Sequence, residues 1–278
     1  MLKSLLVPVD GSEYSAGAVG YASALARMKV ARLTLLSVID IVSLEGPFLA
    51  DLSGSIGITP FLDFQDKVRL ALEEKAGLVV ASHAAALKEQ DLECVTRVET
   101  GVISRVICRE AMEHDAVIIG RRGEHASWRG LLLGSVVEEV VRGCAKPVLV
   151  TPREVTALSR ILVAYDGSRI ANRALGLAAG LAGDLGLPIV VVSVSSDESA
   201  GGSLLKEAES LLEPHGLEVR KILEKGPAAD AILAVAEREK CDLIVMGAYG
   251  HSRVRELLLG STTDGILRKA RIPVLLFR

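Results

Sequence analysis

Two aspartates stand at the same kind of place in this sequence. Asp10 and Asp166 each close a short apolar run and are each followed by Gly-Ser, in LLVPVDGS and ILVAYDGS. A carboxylate at a strand end can accept hydrogen bonds from a ribose diol. Further along, a glycine pair leaves another apolar run in each half: Gly120-Arg-Arg-Gly123 after AVII and Gly247-Ala-Tyr-Gly250 after LIVM. A Gly-Ser then opens a helical segment, as Gly134-Ser135-Val136 and Gly260-Ser261-Thr262. Glycines let backbone N–H groups approach phosphate oxygens with no Cβ in the way. A helix amino end adds unpaired N–H groups and a dipole that favours anions. Together these features point to a nucleotide. Each alone has a plainer reading: Asp and Ser are both good helix N-caps, and a glycine pair makes a tight turn. Arg121 and Arg122 would either pair with phosphate or be solvated loop charges, and His251 would either donate to a phosphate or lie on the surface.

These residues need elements to hold them, and the chain supplies the same set twice. KSLLVPVDGSEYS matches SRILVAYDGSRIA, DAVIIGRRG matches DLIVMGAYG, LLLGSV matches LLLGST, and AKPVLV matches ARIPVLLF, in one order. Strand and helix patterns alternate in each half. Runs such as IVVVSV and LIVMG are continuous and β-branched, as in strands buried on both faces. Helices are expected at 13–29, 63–89, 102–114 and 135–143, and again at 169–185, 203–215, 227–239 and 260–270. The pattern predicts an α/β fold: two tandem copies of an open, doubly wound, five-stranded parallel sheet with helices on both faces and right-handed crossovers. The expected domains are 1–152 and 159–278, joined by the polar segment TPREVTALS. Ligands of such sheets bind beyond the carboxyl ends of the strands.

The copies differ after their second strand. Copy one carries a long insertion at about 40–64, with Phe48, Phe61 and Phe64, where copy two has only SSDESAGG. The insertion is expected to be a lid over the copy-one pocket, or a cover packed over its own domain or across the domain interface. SAGGS at 199–203 reads as linker.

Composition excludes several functions. The chain has 278 residues, 50% hydrophobic, 24% charged and 3% aromatic, with a net charge of −3. It lacks the basic footprint of a nucleic-acid or anionic-lipid binder and the aromatics of a base-stacking one. No apolar stretch approaches the length of a membrane span, and no signal-peptide core precedes Asp10, so a soluble, cytoplasmic protein is expected. Cys94, Cys108, Cys144 and Cys241 form no CxxC pair and read as buried, reduced thiols rather than metal ligands. No P-loop, GxSxG, HExxH or kinase signature occurs.

GAYGHSRVRELLLGS, with its Gly-two-Gly-nine-Gly-Ser spacing, together with VAYDGS closely resembles the universal stress protein family over nearly the whole chain. The resemblance implies a strand order of 3-2-1-4-5 in each copy and bound ATP or AMP, with Mg2+ as a companion of ATP. In copy two it implies that Asp166 holds the ribose, that Ala164, Tyr165, Val194 and Met246 line the base, and that Gly247, Gly250, His251, Gly260, Ser261 and Thr262 carry ribose and phosphates. The copy-one counterparts are Pro8, Val9, Asp10, Val38, Ile119, Gly120, Gly123, Gly134, Ser135 and Val136. Ten residues rather than nine separate Gly123 from Gly134, so copy two is expected to hold the better site.

The function read from these features is an adenine-nucleotide-binding regulatory stress-response protein. It is not an enzyme, with slow ATP hydrolysis at most a side activity, and no catalytic or metal-binding residue is assigned. The alternative is a non-nucleotide-binding dimerisation or interaction protein of the same fold. The short, apolar last strands are expected to pair within one chain as a pseudo-dimer, with a homodimer and an unidentified protein client as further partners, and no nucleic acid or membrane.

Overall fold

A computed structural model describes residues 2–28, 31–40, 66–123, 133–248 and 259–278, and the backbone alone at 29 and 61–65. The first half runs β1 (Ser4–Pro8), α1 (Glu13–Lys29), β2 (Arg32–Asp40), α2 (Phe61–Lys88), β3 (Cys94–Gly101), α3 (Ile103–Glu110), β4 (Ala116–Gly120), α4 (Ser135–Gly143) and β5 (Val148–Thr151). The second half repeats it as β6 (Ile161–Ala164), α5 (Arg169–Leu185), β7 (Ile189–Val194), α6 (Glu198–Leu212), β8 (Val219–Glu224), α7 (Ala228–Arg238), β9 (Leu243–Gly247), α8 (Ser261–Lys269) and β10 (Val274–Phe277).

The strands form one ten-stranded sheet in the order β3-β2-β1-β4-β5-β10-β9-β6-β7-β8. Each half is parallel throughout and has the expected 3-2-1-4-5 order. The halves meet where β10 pairs antiparallel with β5, Leu275 facing Leu149. That pairing covers two apolar edges that would otherwise be templates for association. It also turns the carboxyl ends of the two sets of strands to opposite ends of the sheet.

Side chains alternate between the faces of a strand, so the sheet divides the core into two layers. One holds Leu5, Val7, Leu35, Val163, Val191 and Leu275 under the α1, α2, α5 and α6 helices. The other holds Leu6, Leu36, Val117, Leu162, Val190 and Leu276 under α3, α4, α7 and α8. Each layer is continuous across both halves.

Three expectations need correction. The second helix of copy two begins at Glu198, not at residue 203, so SAGGS is helix rather than linker. Asp197 caps it, its Oδ1 accepting from the N–H groups of Ser199 (2.8 Å) and Ala200 (3.1 Å). Gly201 lets that first turn lie directly on Leu223 of β8. The third helix of copy one ends at Glu110 and tightens into a 3₁₀ turn over Ala111–Glu113. Finally, Phe61 and Phe64 belong to α2, whose 28 residues compare with 15 in α6, and not to a loop. Residues 41–60, with Phe48, lie outside the described residues, so the lid expectation is not addressed there.

The linker packs on α1. A Cβ at Gly17 would collide with the Pro152 carbonyl oxygen, and one at Gly20 would stand 2.5 Å from Val155 Cγ2. The buried Tyr21 hydroxyl donates to Glu154 O (3.3 Å), accepts from Thr156 N (3.2 Å) and lies 3.0 Å from Thr156 Oγ1.

Candidate functional site

Both aspartates close a tight turn at the end of a first strand. Asp10 Oδ1 accepts from Ser12 N and Asp166 Oδ1 from Ser168 N, each at 3.0 Å. The intervening Gly11 and Gly167 have φ of +80° and +74°, a conformation that favours glycine. The capping role read for DGS falls to the serine: Ser168 Oγ accepts from Ala171 N at 3.1 Å and Ser12 Oγ from Ser15 N at 3.1 Å. The aspartates are thereby placed at the strand ends. His83 of α2 comes near Asp10; burial lowers its pKa and the carboxylate opposes that shift.

The Gly-Ser pairs start helices as expected. Gly134 and Gly260 are the N-caps of α4 and α8, with φ of −66° and −59° and no side chain to cap the first turn. Among the described residues, a Cβ at Gly260 would meet Ala248 O at 3.6 Å and Thr263 Oγ1 at 3.7 Å, and one at Gly134 would meet Arg121 O at 3.4 Å. These are ordinary contacts, and the backbone conformation at neither position requires glycine. Gly120 differs, because its Cβ would lie 2.6 Å from the Tyr14 backbone and the glycine lets α1 pack on the sheet. A Cβ at Gly123 would stand 2.7 Å from Asp10 Oδ2, which brings the first and second motifs of copy one together.

The second core layer supplies an apolar wall beside these helix starts. In copy two it is Ala164, Val194 and Met246; in copy one it is Val38 and Ile119, with Pro8 on the same face by alternation. Tyr165 and Val9 belong to the other layer. Their side chains are not brought to this wall, contrary to expectation, because adjacent strand residues point to opposite faces. The Tyr165 hydroxyl instead lies 2.8 Å from Glu207 Oε1 and 2.5 Å from Asn172 Oδ1, its one proton shared between the two acceptors. Burial and Glu207 hold its pKa well above the usual phenol value. Ser135 and Ser261 are exposed at the helix starts, with Val136 and Thr262 partly buried beside them. Gly247 ends β9 opposite Phe277. Gly250 and His251 lie outside the described residues.

Sequence reasoning missed Thr263. It is buried, and its hydroxyl donates to Ala248 O at 2.9 Å, tying the start of α8 to the exit of β9. A hydroxyl two residues after Gly-Ser was the available signal. In copy one the tie runs between main chains, from Gly134 N to Arg121 O at 3.2 Å. Arg121 and Arg122 are not simply solvated loop charges: Arg121 Nε and Nη2 and Arg122 Nε are buried without a hydrogen-bond partner among the described residues. Burial pushes the Arg121 pKa down, with Tyr14 raising it and Arg122 lowering it further.

A family model described as "Universal stress protein family" matches residues 1–152 and again 158–278. The chain belongs to the universal stress protein family, in tandem. A universal stress protein of Synechocystis is 35% identical to it, over 100% of both chains. A universal stress protein of Thermus aquaticus is 35% identical over 42% of this chain and 97% of its own length, so one half of the present chain spans a whole relative. Among solved structures, a universal stress protein from Archaeoglobus fulgidus superposes with a TM-score of 0.81 at 26% identity, over 100% of this chain and 99% of that one. Among the described residues of this universal stress protein, no three His, Cys, Asp or Glu are grouped to hold a metal ion, and no helix is long and apolar enough to cross a membrane. All four cysteines are free; Cys144 and Cys241 are buried, while Cys94 and Cys108 are partly so.

Proposed function

We propose that this protein is an adenine-nucleotide-binding regulatory protein of the stress response, acting from the cytoplasm through two domains, 1–152 and 159–278. The observation that carries this reading is the pair of N-cap glycines, Gly134 and Gly260. Each stands where its backbone conformation and its described neighbours would accept a side chain, and each opens a helix whose first-turn amides lack a side-chain cap. A ligand approaching those amides accounts for both facts.

In copy two the base would lie against Ala164, Val194 and Met246, Asp166 would accept from the ribose hydroxyls, and the α8 amides with Ser261 and Thr262 would donate to phosphate. ATP and AMP both fit this scheme, with Mg2+ a companion of ATP. The bound nucleotide would supply a charge and a shape to be sensed. Nothing in the described geometry puts a general base beside a phosphate, so hydrolysis would be slow and incidental.

The test is chromatographic analysis of adenine nucleotide released from purified protein, followed by calorimetry of nucleotide-free, folded protein with ATP and AMP. At least one site is expected, and Asp166→Ala should remove most of the binding that Asp10→Ala leaves. A flat titration would overturn the reading. It would favour an interaction protein, for which Leu70 and Leu78 on α2, 63% and 65% exposed, supply an apolar surface.

A further inference from the structure

We propose that the copy-one site is a polyphosphate site, in which Arg121 and Arg122 select ligands by the number of phosphates they carry. The inference rests on the nucleotide-binding reading above and assigns a specificity to one of its two sites. Copy two has Ala248 and Tyr249 at the corresponding positions and no arginine between its glycines.

The argument begins with the cost of what the structure shows. Three guanidinium nitrogens, Nε and Nη2 of Arg121 and Nε of Arg122, are buried with no acceptor among the described residues. A buried donor left unpaired loses its full desolvation energy, and more so when it carries charge. Here two such cations are neighbours in sequence, and each makes burial of the other less favourable. An arginine cannot escape by deprotonating. Such an arrangement is sustained when an anion completes it, and a phosphate matches the planar fork of a guanidinium with two parallel hydrogen bonds.

The surroundings fit a chain of phosphates rather than a single one. The backbone of Arg121 and Arg122 lies against the start of α4: Gly134 N donates to Arg121 O, and a Cβ on Gly134 would come 3.5 Å from Arg122 Cα. The main chain that carries the two guanidiniums therefore touches the uncapped start of α4. Asp10 lies against Gly123, at the end where the ribose is proposed, and Glu138 in the first turn of α4 faces Arg142 at 3.8 Å. A monophosphate reaching the helix amides would leave the guanidiniums unmatched. A di- or triphosphate would meet both.

The experiment uses the full-length Asp166→Ala chain, in which copy one is read alone, with circular dichroism as the check on folding. Calorimetry compares ATP, AMP and inorganic tripolyphosphate. ATP is expected to bind at least roughly tenfold more tightly than AMP, the effect of one or more charge-assisted hydrogen bonds. Tripolyphosphate should compete with ATP. Arg121→Met/Arg122→Met in the same background should erase the preference and the competition, and Arg121→Lys should keep part of both. Equal affinity for ATP and AMP, or a preference that survives loss of both arginines, would overturn the inference while leaving nucleotide binding standing. Binding of ATP to the unmodified chain but not to Asp166→Ala would do the same. If the unmodified chain bound no nucleotide and no tripolyphosphate, both readings would fall.

Discussion

Leu275→Ala tests the architecture at its centre. Leu275 is 2% exposed and faces Leu149, itself 5% exposed, across the antiparallel junction of β10 and β5. Both line a small apolar cavity with Leu5, Leu25, Leu181 and Leu243, residues drawn from both halves. Truncating a buried leucine to alanine costs about 2–5 kcal/mol, depending on how far the site collapses. Here the walls are strands and helices already held apart around a void, so little collapse is available and the loss should fall in the upper part, about 3–5 kcal/mol. Urea unfolding followed by circular dichroism should show a single transition, because both core layers run through both halves, with a lower midpoint and an unchanged slope. Leu149→Ala should cost a similar amount. The double variant should lose less than the sum, since the two side chains share one cavity. A loss below about 1 kcal/mol, or two transitions of which only one moves, would falsify the claim that the junction is core rather than contact.

Other consequences can be checked as directly. Gly17→Ala should lower stability by about 1–3 kcal/mol in the same assay, because the new Cβ meets backbone atoms of Pro152 and Arg153. Gly20→Ala should cost less, since it meets only the half-exposed Val155 side chain. Gly260→Val should reduce nucleotide affinity at copy two by more than about tenfold while the chain stays folded, because a branched side chain would occupy the approach to the α8 amides. The neighbouring Cys108 thiol lowers the Cys144 pKa to about 7, and Cys144 with burial raises that of Cys108. The folded chain thus releases a proton that the unfolded chain still holds, and stability should rise from about pH 7 to the ordinary thiol range. Above that range it should fall, as Cys108 keeps a proton that the unfolded chain has lost. Cys108→Ala should move the ultraviolet thiolate titration of Cys144 upward.

Most of the fold could be read from the chain because the informative patterns are short-range. Continuous apolar strands marked the parallel sheet, and α1, α4 and α5 have the expected limits because Gly, Ser or a terminal glycine sets them. The start of α6 was misread because two glycines signal a loop until the Asp197 cap and the close approach of Leu223 are known. The site was legible in its main-chain features and less so in its side chains. The positions of Asp10, Asp166, Gly134 and Gly260 follow from the turns and helix starts they make. The direction of Tyr165 and the burial of Arg121 depend on which face a residue takes at the last rung of a strand and on what packs there. The spacing of glycines does not carry that information.

The antiparallel junction of β5 and β10 has an evolutionary consequence. Where two identical chains meet about a two-fold axis, every substitution is made twice, and a change that helps one site must be tolerated at the other. Joining the copies through residues that dock on α1 lifts that constraint. In this chain α2 is longer than α6 and two arginines stand between the copy-one glycines, while copy two has Ala248 and a buried Thr263 at its helix start. A symmetric assembly carries one surface twice; this chain carries two, each free to change without the other.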